Sequence, residues 1–170
     1  MRTFSLLRGL PVYVKKTGEK LGEVFDLCLS ESGKVDGLLL KKGTLFKRTT
    51  FVRIEDVSSF GCDGVMLEEE TVVQPVRDPA YHIFEGREKL IGKPLLSSEG
   101  EHLGLLNDVY FHEELGIIVG YECTDGFFAD ITEGKRIIKS NEPPTIGKDA
   151  IIVSINQKYG KGSFSNVQLS

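Results

Sequence analysis

Apolar and polar residues alternate along most of this chain in short runs, which is the pattern of β-strands that have one face in a core. In residues 22–29 the alternation is mixed, because Asp26 falls between apolar neighbours. This mixture favours a β-bulge near Asp26. The pattern predicts strands at residues 10–14, 22–29, 35–41, 51–54 and 65–67 in the first half, and at 90–97, 104–112, 116–123, 136–139 and 149–153 in the second.

The connecting segments carry turn signals, and no long stretch has helical periodicity. Residues 42–50 are predicted to be a loop, and residues 55–60 a helical turn or an irregular link. Short strands at this spacing are typical of a small barrel or sandwich and not of βαβ units.

The same pattern of strands and turns occurs twice along the chain. Residues 18–22, Gly-Glu-Lys-Leu-Gly, return as residues 100–104, Gly-Glu-His-Leu-Gly, and Asp26 and Asp108 follow at the same distance. A repeat of this kind indicates two copies of one structural unit.

Turn glycines and linker composition set the predicted domain boundaries. Gly18 and Gly100 close equivalent turns, where glycine adopts positive φ without steric cost, and Gly22 and Gly104 begin the long strands. A segment with two prolines and clustered charges separates the copies. We predict barrel 1 at residues 1–74, a linker at 75–86, barrel 2 at 87–155 and a flexible C-terminal tail at 156–170.

Composition is that of an ordinary globular protein, with 40% hydrophobic and 27% charged residues. The net charge of −4 is uneven: residues 1–77 carry 12 Lys/Arg and 11 Asp/Glu, giving +1, and residues 78–170 carry 9 and 14, giving −5. Three separated cysteines without a disulfide framework, and no stretch long enough to span a membrane, predict a cytoplasmic protein.

The ordered motifs resemble the PRC-barrel family, the small β-barrel first defined in the photosynthetic reaction-centre H subunit. The first copy has Gly-x-Pro-Val at residues 9–12, the Gly-Glu-x-Leu-Gly-x-Val-x-Asp run at 18–26, and a closing strand at 61–67; the second copy matches at 92–95, 100–108 and 147–153. The chain is most similar to two-barrel, uncharacterised proteins of Gram-positive bacteria. The resemblance implies an all-β fold of two tandem small PRC-like barrels with short connecting helical turns.

The same resemblance implies binding and not catalysis. Family members resemble adaptors: one barrel contacts partner subunits in the reaction centre, and a related barrel in a ribosome-maturation factor contacts a ribosomal protein. The family pattern is a folding pattern, so no catalytic residue is carried over. The chain is therefore predicted to be no enzyme and to need no cofactor.

Residue motifs for catalysis, phosphate binding and metal binding are weak throughout the sequence. Asp26 and Asp108 could serve as an acid–base pair, but capping of local backbone N–H groups accounts better for their equivalent places. The Gly-Lys pairs do not close a phosphate-binding loop, and three isolated histidines predict no metal site. Cys62 is the one cysteine for which a redox role is considered.

The best binding candidate is the basic stretch at residues 41–53. It has five positive charges, two phenylalanines and no acidic residue, and the equivalent residues 124–130 keep the aromatics but carry acidic charge. Such a stretch can contact single-stranded nucleic acid or an acidic protein surface, or it can be a solvated hairpin. The predicted contact residues are Lys41, Lys42, Phe46, Lys47 and Arg48.

The predicted function is that of a non-catalytic cytosolic adaptor whose partner is another protein. The alternatives are an RNA- or ribosome-associated protein that uses the same loop, and a small-ligand binder or enzyme with a site between the barrels. The charge reversal between the copies also suggests self-association, with the basic loop of one molecule against the acidic loop of another.

Overall fold

The computed structural model describes residues 1–43, 48–76, 81–82, 89–124, 135–140 and 142–155, and only the backbone of residues 48, 81 and 82. These residues form two curled half-barrel sheets, one for each repeat. One α-helix, α1 (Phe4–Leu7), and two 3₁₀ helices (Ile54–Asp56 and Glu70–Val72) accompany them. The strands are, in chain order, β1 (Arg2–Thr3), β2 (Pro11–Val14), β3 (Lys20–Leu29), β4 (Val35–Lys42), β5 (Arg48–Arg53), β6 (Val57–Phe60), β7 (Val65–Leu67), β8 (Gln74–Pro75), β9 (Tyr81–His82), β10 (Pro94–Ser97), β11 (His102–His112), β12 (Ile117–Thr124), β13 (Arg136–Lys139), β14 (Thr145–Ile146) and β15 (Ile151–Val153).

The two sheets have the same internal topology. The first has the order β6-β7-β2-β3-β4-β5-β8, and the second has the order β13-β12-β11-β10-β15-β14. In both, a parallel pair (β2 with β7, β10 with β15) sits inside an otherwise antiparallel arrangement. The ladder between β3 and β4 shifts register between Val24 and Asp26, and that between β11 and β12 shifts between Leu106 and Asp108.

The two repeats exchange short strands. β1, at the start of the first repeat, pairs with β11 of the second sheet, opposite Tyr110 and Phe111. β9, which lies in the predicted linker, pairs with β3 of the first sheet, opposite Cys28 and Leu29. Each sheet therefore includes a strand that precedes the other repeat in sequence, so the backbone hydrogen bonds of one repeat depend on the other.

The turn of each long hairpin also contacts the other repeat. The carbonyl oxygen of Gly116, a residue with φ of +64°, accepts a hydrogen bond from the N–H of Val35 at 2.8 Å. Gly33, with φ of +75°, packs so tightly on Pro144 that an added Cβ would lie 2.8 Å from the proline Cγ. Glycine is required at both places because the backbone is left-handed and a neighbouring segment approaches closely.

The core is continuous across the two repeats. Buried residues of α1, of both sheets and of the hairpin ends form a single cluster. Burial of apolar surface on this scale is the main favourable term in folding. The largest fully buried side chains are Tyr121, Phe4, Phe111, Leu7, Leu27, Leu29, Leu38, Leu39, Leu40, Leu67 and Leu95.

Some predicted local elements are wrong. Residues 42–50 are not all loop, since the β4–β5 ladder extends to the pair Lys42 and Arg48. Residues 55–60 are mostly strand, because β6 follows the 3₁₀ helix and pairs with β7. The predicted linker begins inside a strand, since Pro75 belongs to β8, which lies at the sheet edge, where proline is tolerated. The division of the chain into barrels, linker and tail stays a prediction; residues 156–170 lie outside the described part.

Candidate binding surfaces

The predicted basic loop begins at the end of β4 in what we call the basic ridge, formed by Lys41, Lys42, Lys20 and Phe25. The Lys41 Nζ lies 4.6 Å from the centroid of the Phe25 ring, a cation–π distance. Phe25 is half-buried and sits at the β3 bulge, so its outer ring face carries the lysine. This arrangement presents an aromatic ring and a positive charge together on the surface.

Acidic side chains of β3 and of the turn before it accompany the basic ridge. Lys42 Nζ is 3.7 Å from Glu19 Oε1, and Lys20 Nζ is 2.7 Å from Glu23 Oε1. The hydrogen bond to Glu23 raises the pKa of Lys20. Antiparallel pairing also places Glu23 opposite Lys41. The stretch 41–53 contains no acidic residue, so its own sequence does not show that the described ridge is charge-mixed.

The remaining predicted contact residues are only partly described. Phe46 and Lys47 lie outside the described residues, and so does the side chain of Arg48, whose backbone pairs with Lys42. Residues 125–130 of the acidic loop also lie outside them. The roles of all five predicted contact residues, and the self-association contact, stay predictions.

A second surface feature lies between the N-terminal segment and the second sheet. It is an open groove of about 480 Å³, which we call the seam groove. Residues 1–3, 5 and 6 form one wall, and Asp108, Tyr110, Glu113 and Glu122 form the other. The exchange of β1 creates it, because β1 and α1 are seated on β11.

Asp108 in the seam groove bonds to backbone N–H groups. It is 3% exposed; its Oδ1 accepts the N–H of Val109 at 2.8 Å, and both oxygens lie 3.3 Å from the N–H of Ser5. The equivalent Asp26 accepts the N–H of Leu27 at 2.8 Å. A carboxylate that bonds backbone N–H groups beside a bulge stabilises the local chain, and Asp108 also holds the first turn of α1 on the second repeat.

Glu122 is the second buried carboxylate of the seam groove. Asn107 Nδ2 donates to its Oε1 at 2.5 Å, and Lys135 Nζ lies 2.9 Å from the same oxygen. The bond to Glu122 raises the pKa of Lys135. Burial, followed by the charge of Glu122, raises the pKa of Tyr110, whose hydroxyl lies 3.5 Å from Glu122 Oε2. Both shifts reinforce the ordinary ionisation states at neutral pH, a charged lysine and a neutral tyrosine.

Glu113 and Arg2 connect the N-terminus to both repeats. The terminal ammonium lies 2.7 Å from Glu113 Oε2, and Arg2 Nε lies 3.5 Å from Oε1. Burial is the largest single influence on Glu113 and opposes its ionisation. The hydrogen bond from the terminal ammonium, a backbone hydrogen bond and the charges of the ammonium and of Arg2 together outweigh it, so the pKa of Glu113 is lowered. Arg2 also donates to the carbonyl oxygens of Phe60 and Gly61 in the first repeat.

The repeated glycines adopt backbone conformations that other residues avoid. Gly18 and Gly100 have φ of +69° and +87°, and Gly22 and Gly104 have φ of +156° and +133°. An added Cβ at Gly22 would lie 2.7 Å from the Lys41 carbonyl oxygen, and one at Gly104 would lie 2.9 Å from that of Thr124. These glycines let β3 and β11 pass close to the ends of β4 and β12.

Cysteines and candidate metal ligands do not form a reactive centre in the described part. Cys28 and Cys123 are buried, which raises the pKa of each thiol to about 12, and Cys62 is exposed. No group of three or more His, Cys, Asp or Glu side chains among the described residues is arranged to hold a metal ion.

Across the described ranges, no helix has both the length and the apolar character needed to cross a membrane.

Comparison with known proteins identifies the fold. The PRC-barrel domain model matches residues 1–76 and again residues 83–158. The chain belongs to the PRC-barrel family. It is also 33% identical to uncharacterized protein YrrD of Bacillus subtilis (strain 168) over 157 residues, which cover 91% of this chain and 88% of that protein. These matches and the two sheets confirm the predicted family and the all-β tandem fold.

Proposed function

We propose that this PRC-barrel protein is a non-catalytic binding module whose partner is another protein, contacted through the basic ridge and the loop that follows it. The observation that carries the proposal is the ridge geometry: Lys41 stacked on Phe25, with Lys42 exposed beside it. A partly exposed aromatic ring and adjacent cationic groups held together at a strand end are suited to anchoring a partner.

Charge on the ridge favours a protein over a nucleic acid. Phosphate backbones are bound by clusters of Lys and Arg, each of which neutralises a phosphate. Here Glu19 and Glu23 lie beside Lys42 and Lys20 and would repel phosphates. A mixed surface of this kind matches the polar rim of a protein interface.

The carboxylates of the seam groove are held in structural contacts, and for this reason the proposal includes no catalytic activity. Asp108 bonds backbone N–H groups, Glu122 bonds Asn107 and Lys135, and Glu113 bonds the N-terminus. A general base near neutral pH needs a raised pKa, and the pKa of Glu113 is instead lowered.

Affinity capture from a lysate of the source cell tests the proposal. The wild-type chain is compared with a variant in which Lys41, Lys42, Lys47 and Arg48 become serine. A matched control changes Lys16, Lys34, Lys89 and Lys148 to serine. A protein that is retained by wild type and control after nuclease treatment, but lost by the ridge variant, supports the proposal.

The other outcomes assign the surface differently. Loss of captured material on nuclease treatment would mean that the partner of the ridge is RNA or the ribosome. Equal capture by all three chains means that the ridge is a solvated hairpin and contradicts the proposal.

A second candidate function, binding of a small polar ligand, is favoured by one observation: two buried carboxylates, Asp108 and Glu122, face the seam groove. Mixed polar and apolar lining is typical of small-ligand sites. A thermal-shift screen of amines and amino acids against wild type and Glu122→Gln tests it. A compound that raises the melting temperature of wild type only would support this function, and a screen without such a compound would remove it.

A further inference from the structure

The two repeats differ at one sheet edge. In the first sheet a row of paired residues runs across Asp26, Leu39, Phe51 and Gln74, the last of these in β8. In the second sheet the equivalent row runs across Asp108, Glu122 and Ile137 and ends there. β13 is the outermost strand on that side of the second sheet, and among the described residues no strand pairs with its outer edge, whereas β8 pairs with the equivalent strand β5 in the first sheet.

The outer edge of β13 presents backbone hydrogen-bonding groups that no other described strand pairs with. Ser140 N–H donates to the Val119 carbonyl, and alternation along an antiparallel ladder therefore directs the backbone of Ile138 and Arg136 toward β12 as well. The N–H and C=O groups of Ile137 and Lys139 consequently face outward. A free strand edge of this kind is a template for pairing with another extended segment.

Side chains along the outer face of β13 define what would pair with it. Lys135, Ile137 and Lys139 alternate on this face, and all three are exposed, with Ile137 39% exposed. Lys139 lies opposite Gly120, which leaves space beside its aliphatic stem. An added strand would place successive outward residues next to a cation, an apolar residue and a cation.

We propose that the free edge of β13 is a β-augmentation site that binds an extended segment of a partner protein with the pattern acidic-x-apolar-x-acidic. Main-chain hydrogen bonds to Ile137 and Lys139 hold the segment, and its alternate side chains face Lys135, Ile137 and Lys139. One carboxylate pairs with Lys139 and the other joins the ion pair that Lys135 forms with Glu122, while the central residue covers Ile137. This site is separate from the basic ridge.

Charge argues against two other occupants of this edge, a second copy of the chain and the chain's own residues 156–170. A second copy that paired through its own β13 about Ile137 would place Lys135 opposite Lys139, and like charges directly opposite are destabilising. The chain's residues 156–170 contain two lysines and no acidic side chain. Both alternatives bring positive charge to an edge that is already positive.

A display library of random dodecapeptides, selected on the immobilised full-length chain, tests the proposal. We expect the selected peptides to share the acidic-x-apolar-x-acidic pattern and to shift the amide resonances of Ile137 and Lys139. Ile137→Pro removes an outward N–H without removing a bond to β12, and it should abolish binding while Ile137→Val retains it.

A charge variant keeps the test independent of the proline. Lys139→Glu should weaken the selected peptides about three- to tenfold, since an ion pair becomes a repulsion. Lys34→Glu, an exposed site with the same charge change, should leave them unaffected. Selection of peptides without the pattern, or equal binding to Ile137→Pro and Ile137→Val, would overturn the proposal.

Two further outcomes would assign the edge to another occupant and so overturn the proposal. Dimers of the wild-type chain that Ile137→Pro converts to monomers would assign the edge to a second copy. Much tighter peptide binding by a chain that ends at Ile155 would assign it to the C-terminal residues. Loss of capture in the ridge variant alone, with no effect of Ile137→Pro, leaves the proposed function intact and distinguishes the two failures.

Discussion

Val35 and Gly116 join the two repeats through one short hydrogen bond. The N–H of Val35 donates to the Gly116 carbonyl at 2.8 Å, and Val35 is 1% exposed. The contact is so close that a Cβ at position 116 would lie 2.3 Å from the Val35 carbonyl oxygen. The hairpin turn of the second repeat thus fits directly on the first strand of the β4–β5 hairpin in the first.

Gly116→Ala should therefore destabilise the chain more than an alanine at another left-handed glycine. Gly18 has a similar φ of +69°, but no atom lies within 4 Å of its added Cβ. We expect Gly18→Ala to cost about 1–2 kcal/mol from backbone strain alone, and Gly116→Ala to cost about 1–3 kcal/mol more from overpacking. Urea unfolding of both variants measures the difference, and equal midpoints would mean that the turn moves away without cost.

Strand exchange predicts that the repeats stay together when the chain is cut between them. A specific protease site inserted within residues 77–80 allows cleavage of the folded protein. Because β1 pairs with β11, β9 pairs with β3 and the core is continuous, the two fragments should co-elute in size-exclusion chromatography. They should separate only in denaturant.

A cleavage site inserted within residues 156–170 serves as the control for this experiment. Cutting there should release a short peptide and leave the retention of the main fragment nearly unchanged. Separation of the two halves in native buffer would show that the exchanged strands and the shared core contribute little to association.

Local alternation and the repeat predict most strands of this fold, because their information lies within each strand. The edge strand β13 has the bounds that the sequence predicts, and the register shift beside Asp26 is the predicted bulge. The exchange of β1 and β9 was not predictable in this way, since two-residue strands have no periodicity. Their pairing depends on which repeat lies nearby in space.

The candidate sites show the same limit. The cations Lys41 and Lys42 stand out in the sequence, but their acidic neighbours Glu19 and Glu23 are far along the chain and become adjacent only through antiparallel pairing. The seam groove was missed for a related reason: Asp108 meets Ser5 across more than a hundred residues. A repeat-by-repeat comparison of charge could have singled out Glu122, which replaces the apolar Leu39 of the first row.

Thiol reactivity should separate the three cysteines. Burial raises the pKa of Cys28 and Cys123 to about 12, so neither supplies thiolate at neutral pH, whereas Cys62 is exposed in a turn. We expect Ellman's reagent to titrate one thiol in the native protein and three in denaturant. Cys62→Ser should abolish the native signal, and rapid reaction of that variant would show that a buried strand opens readily.

Glu113 should make attachment of the N-terminal segment sensitive to acid. Its pKa is lowered from the ordinary value of 4.5 in the folded chain, so the ionised form favours folding. The contribution is fully present above pH 4.5 and is lost as the pH falls through the lowered value. We expect Glu113→Gln to cost about 0.5–1 kcal/mol at pH 7, since the ion pair is partly exposed, and to cost nothing once wild-type Glu113 is protonated. Denaturant unfolding of both chains from pH 7 to pH 3 measures this difference; Glu114→Gln, an exposed neighbour, is the control, and a Glu113 difference that persists unchanged at pH 3 would contradict the assignment.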